Sequence, residues 1–244
     1  MKDDKVSVSV DAVTRTEDPG PAARLAAGHH RFLGVDLLVG EDVLVPREET
    51  EILGREVLAL LRARSVEEPE CELRMIDMGC GSGNLACIAA LGVLSVRVWA
   101  SDTSDACALL TRANVARLGL EDRVVVAQGD LFASLATEGL EGTMDLVVMN
   151  PPYIPSHVLE ASLAGLLQHE PRAAFDGGPY GITILTRLLK EAPAFLKPGG
   201  HLLFEFGLGQ AGLVQALVER NRRYSALRFV GDAQGRPRVA VLGL

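Results

Sequence analysis

From Leu73 onward, short apolar runs alternate with longer amphipathic stretches. The period-2 and unbroken apolar segments predict strands over 73–78, 96–101, 123–127, 144–149, 200–206 and 236–242. Between them, helical periodicity covers 83–92, 104–118, 158–167, 181–195 and 208–221. Strands and helices taking turns at this spacing make βαβ units. The expected fold is therefore α/β, a doubly wound and mostly parallel sheet. Lys197-Pro198-Gly199-Gly200 supplies a tight turn ahead of the fifth strand.

Upstream the pattern is weaker. Residues 1–20 are polar and end Glu17-Asp18-Pro19-Gly20, which reads as a loose tail. Pro21 to Ala27 suits a short helix stopped by Gly28, and Phe32 to Val39 suits a short strand or hairpin. Thr50 and the acids around it fit the first turn of a helix running to about Arg64, with apolar residues at Ile52, Leu53, Val57, Leu60 and Leu61. Glu67-Glu68-Pro69-Glu70 then makes a turn or linker. The chain is thus expected to divide into a tail with a helical stub (1–30), a lid or hairpin plus helix (31–70), and the sheet-bearing catalytic domain (71–244).

Length changes this picture little: 244 residues hold one large α/β domain and a short appendage. Hydrophobic content of 48% and charged content of 23% are those of an ordinary globular protein. A formal net charge of −8 argues against a nucleic-acid partner, which needs a basic surface. Cys71, Cys80, Cys87 and Cys107 show no Cys-x-x-Cys spacing, so they are expected to be reduced thiols in a reducing compartment. The histidines are scattered, and no metal site is expected. Met1-Lys2-Asp3-Asp4-Lys5 starts no apolar leader, and the longest uncharged apolar run, Leu85 to Val96, is too short to span a bilayer. A cytoplasmic protein without a membrane partner is expected.

Two loops carry candidate chemistry. Asp77-Met78-Gly79-Cys80-Gly81-Ser82-Gly83 lies between a predicted strand and a predicted helix, where glycines let the backbone approach a ligand. Its third glycine falls one residue early for the dinucleotide pattern, which suits a nucleotide-like ligand without a pyrophosphate. Asp102 ends the next strand, where a carboxylate can accept from both ribose hydroxyls; the alternative is a helix cap among Ser101, Thr103 and Ser104. Asp130 ends the third strand and either accepts from an adenine amino group, with Leu131 or Phe132 against the ring, or sits in a surface turn. The second loop, Asn150-Pro151-Pro152-Tyr153, is a rigid, polar-tipped turn on the same sheet edge. Glu49 and Glu170 are either pocket carboxylates or surface charges, and Arg47 either closes over a ligand carboxylate or is solvated.

Together these residues resemble the class I S-adenosylmethionine (SAM) methyltransferases, with their Rossmann-like fold. Within them the chain is similar to the HemK/PrmC family, the N5-glutamine methyltransferases of peptide release factors. The resemblance runs from about residue 30 to 244. It rests on Val43 to Glu51, Asp77 to Gly83, Gly129-Asp130-Leu131-Phe132, Asn150 to Ile154, His169-Glu170-Pro171-Arg172 with Gly177-Gly178, Lys197 to Gly200, and Phe204-Glu205-Phe206-Gly207. It implies SAM as cofactor, held by Arg47, Asp77, Gly79, Cys80, Gly81, Gly83, Asp102, Asp130, Leu131 and Asn150. It assigns the acceptors for a substrate carboxamide to the Asn150 side chain and the Pro151 backbone carbonyl, with Tyr153 stacking on the planar group. The family carries an amino-terminal helical domain that helps bind the release factor; with about 30 residues ahead of the matching region, that domain is expected here to be absent or reduced to a stub. Pro179-Tyr180-Gly181 stands where the family often has an acid.

The expected substrate is accordingly a glutamine-like group in a protein or a small metabolite, with the oligomeric state open. Three alternatives compete. SAM itself could be cyclised, with Asn150 and Tyr153 or Tyr180 holding its amine. The Asn-Pro-Pro-Tyr loop could serve a base amino group, or the chain could bind SAM without catalysis.

Overall fold

The computed structural model describes residues 20–160 and 170–244. A short helix α1 (Gly20–Ala27) leads into a hairpin of β1 (His29–Phe32) and β2 (Val35–Leu38), then α2 (Thr50–Glu67). The sheet-bearing part follows as β3 (Leu73–Met78), α3 (Asn84–Gly92), β4 (Val96–Asp102), α4 (Asp105–Arg117), β5 (Val124–Gln128), β6 (Met144–Met149), α5 (Thr183–Glu191), β7 (Leu196–Glu205), α6 (Ala211–Asn221), β8 (Ala226–Gly231) and β9 (Pro237–Gly243). The seven strands run in the order β5-β4-β3-β6-β7-β9-β8. All neighbours are parallel except those of β9, which pairs antiparallel with both β7 and β8.

Side chains of the central strands alternate between two apolar layers, as a sheet covered on both faces requires. Met75, Val98, Val148 and Leu203 pack with α2 and α3, while Ile76, Trp99, Val147 and Leu202 pack with α5 and α6. α2 buries Leu53, Gly54, Val57 and Leu61 at helical spacing. A side chain at Gly54 would meet Leu33 at 2.7 Å and Ile88 at 2.9 Å, so the hairpin and α3 close on the helix there. Ser104 caps α4, its hydroxyl accepting from the Cys107 N–H at 3.4 Å.

The periodicity located the five parallel strands and β9. It missed β8, an edge strand whose residues alternate between exposed and half-buried and present no fully buried run. Lys197 to Gly200 do not precede β7 but bulge from it: the register with β6 steps from Met144↔Leu196 to Leu146↔His201, with Gly199 at φ +74°. The helix expected over 181–195 ends at Glu191 and tightens into a 3₁₀ turn at Ala192–Ala194. The helix expected over 158–167 is seen only at residues 156–160; the remainder, His169 and the tail 1–19 lie outside the described residues. Among the described residues, no helix is long and apolar enough to cross a membrane.

Candidate functional site

In the strand order, β3 and β6 are neighbours whose following helices lie on opposite faces of the sheet, the point where open α/β sheets bind ligands. The loop after β3 is held in place mostly by backbone groups. Gly79 and Cys80 N–H donate to the Ser101 carbonyl at 2.7 and 3.0 Å, and Gly83 N–H donates to Cys80 at 2.7 Å. Two buried polar side chains of α4 complete the fixing. The Thr111 hydroxyl donates to the Gly81 carbonyl at 2.9 Å, and Asn114 Nδ2 donates to the Ser82 carbonyl at 2.8 Å. Gly83 (φ +77°) has no room for a side chain, since a Cβ would lie 2.8 Å from Thr111. Gly81 (φ +56°) faces open space, with no protein atom within 4 Å of such a Cβ.

That space is a cavity of about 430 Å³, within the range of small-molecule sites. Its walls come from the ends of four parallel strands and from two outer segments, 44–50 and 171–176. Asp77 lies at its base. Oδ2 accepts from the Ala86 N–H at 2.9 Å, while Oδ1 is buried without a partner. Burial, with the nearby Asp102 charge adding to it, pushes the Asp77 carboxyl up to about 7. Asp102 uses Oδ2 for the Gly81 N–H at 3.0 Å and Oδ1 for the Ser104 N–H at 2.9 Å, leaving a lone pair on each oxygen. The thiols nearby are inert: burial raises Cys80 well above its ordinary range, and Cys87 and Cys107 to about 12.

Asn150 stands at the tip of β6 and lines the cavity with Pro152. Its Nδ2 donates to Thr50 Oγ1 at 3.1 Å, and the Thr50 hydroxyl donates to Glu205 Oε2 at 2.8 Å. Glu205 Oε1 accepts from the Tyr153 hydroxyl at 3.2 Å and from Arg238 at 3.3 Å. Arg238 also stacks over the Tyr153 ring, 5.7 Å from its centroid. Burial raises Tyr153 to about 12, which keeps it a neutral donor.

The Methyltransferase small domain family matches residues 59–178. The release factor glutamine methyltransferase of Gloeobacter violaceus is 34% identical over 227 residues, 93% of this chain and 76% of its own length. That of Moorella thermoacetica is 37% identical over 214 residues, covering 86% and 71%. The crystal structure of the release-factor-specific protein-(glutamine-N5) methyltransferase from Alicyclobacillus acidocaldarius superposes with a TM-score of 0.50 at 28% identity, covering 84% of this chain and 97% of that one. The chain belongs to the release factor glutamine methyltransferase family. It is a SAM-dependent methyltransferase of class I fold that acts on an amide or amine nitrogen. Nothing in these comparisons supports cyclisation of SAM itself.

The structure brings Asp77, Gly79, Cys80, Gly81, Asp102, Asp130, Leu131 and Asn150 to one cavity wall or another. Gly83 sits just behind them as the residue before α3. Asp130 is forked by Arg187 at 2.9 and 3.0 Å, so both its oxygens are already engaged. Arg47 lies outside the cavity lining and pairs with Glu170 at 2.5 Å, while Glu170 also accepts from the Val45 N–H at 2.9 Å. That pair ties the 44–50 segment to the 171–176 segment and makes Glu170 a buried strut. Pro151 and Tyr153 are set back from the cavity, and Tyr180 lies outside it, 74% exposed. Thr50, Thr111, Asn114 and Arg238 were not anticipated as site residues. The available signal was polarity on faces otherwise apolar: Thr111 and Asn114, one helical turn apart, are both fully buried in α4.

Proposed function

We propose that this protein methylates the side-chain amide nitrogen of a glutamine presented by a protein, a peptide-chain release factor as its relatives' names say of them. The observation that carries the reading is the Asn150 carboxamide. It lines the cavity beside the glycine loop, and one Nδ2 hydrogen donated to Thr50 turns the amide so that Oδ1 remains to accept. A carboxamide nitrogen is a poor nucleophile because its lone pair is delocalised. Acceptors placed on its N–H bonds, Asn150 Oδ1 and the Pro151 carbonyl in this reading, turn the nitrogen toward the cofactor. Pro151 and Pro152 hold those acceptors in place before any substrate arrives. Positioning of this kind contributes up to about 7–11 kcal/mol, and no general base has to act before transfer.

Bound SAM supplies an electrophilic methyl group on a sulfonium. The residues present fit it. Asp77 Oδ1 is a buried acceptor without a partner, which the cofactor's ammonium satisfies, and Asp102 has lone pairs free for ribose hydroxyls. Leu131 lines the cavity, and the open face of Gly81 leaves room for the adenosine. Arg47, held by Glu170, closes the site from outside rather than binding the cofactor directly. The segments 31–70 and 71–244 act in this reading as one unit, since Thr50 and Pro46 complete the cavity begun by the sheet.

The reading is tested by supplying SAM and an unmodified release factor and following S-adenosylhomocysteine. Release should require the release factor and cease when its methylatable glutamine is replaced by glutamate. Equal release on the glutamate variant would overturn it.

A pH dependence follows from Asp77. Its carboxyl is raised to about 7 from an ordinary value near 4, so the empty fold favours the protonated form. The stability this provides is complete below about pH 4 and is lost as the pH rises toward about 7. SAM, being cationic, favours the ionised form. Affinity for SAM should therefore increase by up to about tenfold per pH unit as the pH approaches about 7 and level off above it. Calorimetric titration checks this, with Asp77→Asn expected to bind weakly and without the slope.

A further inference from the structure

Two segments from distant parts of the sequence, Val43–Glu51 and Phe204–Gly207, meet beneath Asn150, and their junction has a fixed donor order. Glu205 is 1% exposed, and burial pushes its carboxyl up. The paired Arg238, itself 6% exposed, and donors from Thr50 and Tyr153 all hold the ionised form, so its carboxylate offers only acceptors. The single Thr50 hydroxyl hydrogen goes to Glu205 Oε2 at 2.8 Å. Toward Asn150 the Thr50 oxygen therefore presents lone pairs alone. An amide beside it has one satisfactory orientation, NH₂ toward Thr50 and carbonyl away. The 3.1 Å contact has that orientation. The other end of the carboxylate is held by Tyr153 at 3.2 Å and Arg238 at 3.3 Å, which leaves Glu205 no reason to turn.

We infer that Thr50 and Glu205 are positioning residues that set the polarity of the Asn150 amide, so that an acceptor and not a donor faces the substrate. The inference rests on the reading of Asn150 as an acceptor for the substrate amide. Its consequence is specific. An inverted Asn150 would put its NH₂ against the substrate NH₂, donor against donor, although nothing in the shape of the site had changed. Thr50 forms part of the cavity wall and Glu205 lies behind it, outside the lining. They act through Asn150, across the boundary between α2 and the sheet.

The test is Thr50→Val, which keeps the branched shape and removes the hydroxyl. With a glutamine-bearing release factor, kcat should fall about 10–100-fold while KM and the SAM dissociation constant stay close to wild type; the melting temperature should drop by a few degrees, since Glu205 Oε2 loses its donor. Thr50→Ser should recover most of the loss, because a hydroxyl alone is needed. In an Asn150→Ala background, Thr50→Val should cost nothing further. A wild-type kcat in Thr50→Val, or an equal loss in the Asn150→Ala background, would overturn the inference.

A second measurement needs no turnover. The Asn150 side-chain NH₂ signal, identified by its absence in Asn150→Ala, should exchange slowly with solvent in the wild type and in Thr50→Ser, and fast in Thr50→Val. Equal protection in Thr50→Val overturns the relay even if the wild type proves inactive on glutamine. Inactivity with the protection pattern intact instead overturns the glutamine reading.

Discussion

Asn150→Ala is expected to lower kcat by on the order of a thousandfold while changing the SAM dissociation constant by no more than about threefold. The asymmetry follows from where the residue sits. Asn150 closes the cavity from β6, whereas the carboxylates suited to the cofactor stand at the ends of β3 and β4. Removing the carboxamide leaves Asp77, the glycine loop and Asp102 with all their own bonds. What is lost is the acceptor that aims the substrate nitrogen, an interaction used in reaching the transition state and not in holding SAM. Stopped-time assays of S-adenosylhomocysteine alongside calorimetry separate the two quantities. Comparable losses in both would mean that Asn150 serves the cofactor, and undiminished turnover would remove it from the site.

Asp102→Ala is expected to do the opposite, weakening SAM binding by on the order of a hundredfold. Two effects add. The ribose hydroxyls lose an ionised acceptor, and charge-assisted hydrogen bonds contribute about 1.5–3 kcal/mol each. The Gly81 N–H, now bonded to Oδ2 at 3.0 Å, is also left without its partner, and the glycine loop loses its tie to β4. Asp102→Asn separates these contributions, since it keeps an oxygen for Gly81 but not the charge. It should lie between the alanine variant and wild type. If Asp102→Ala bound SAM as well as wild type, the carboxylate would be a loop and cap residue only. Its bond to the Ser104 N–H shows that it has that second role in any case.

Much of this site was legible before any fold was known, because its chemistry sits at strand ends. A parallel strand buried on both faces reads as an unbroken apolar run, as in Met144 to Met149, and the residue that follows such a run lies at the ligand-binding edge. Asp102, Asp130 and Asn150 could all be found in this way. What stayed hidden depends on contacts between remote segments. The Thr50–Glu205 bond joins residues 155 positions apart, and Thr50 at the head of a helix is indistinguishable from an ordinary capping type. Glu170 is another case: both its partners, Val45 and Arg47, lie more than 120 positions upstream. Nor does a sequence show that Asp130 is forked by Arg187, since that pair forms only once α5 has packed near the end of β5. The edge strand β8 escaped for a different reason. With one side of its ladder unpaired and no fully buried residue, it lacks the apolar signal that marks the central strands.

The most direct test of the account is the chemical identity of the product. The purified protein is incubated with SAM and an unmodified release factor, and both the small molecules and the fragmented protein are analysed by mass spectrometry. The account predicts S-adenosylhomocysteine in equal amount to a single methyl group located on a glutamine side-chain nitrogen. Methylthioadenosine in its place, or a methyl group on any other atom of the release factor, would contradict it.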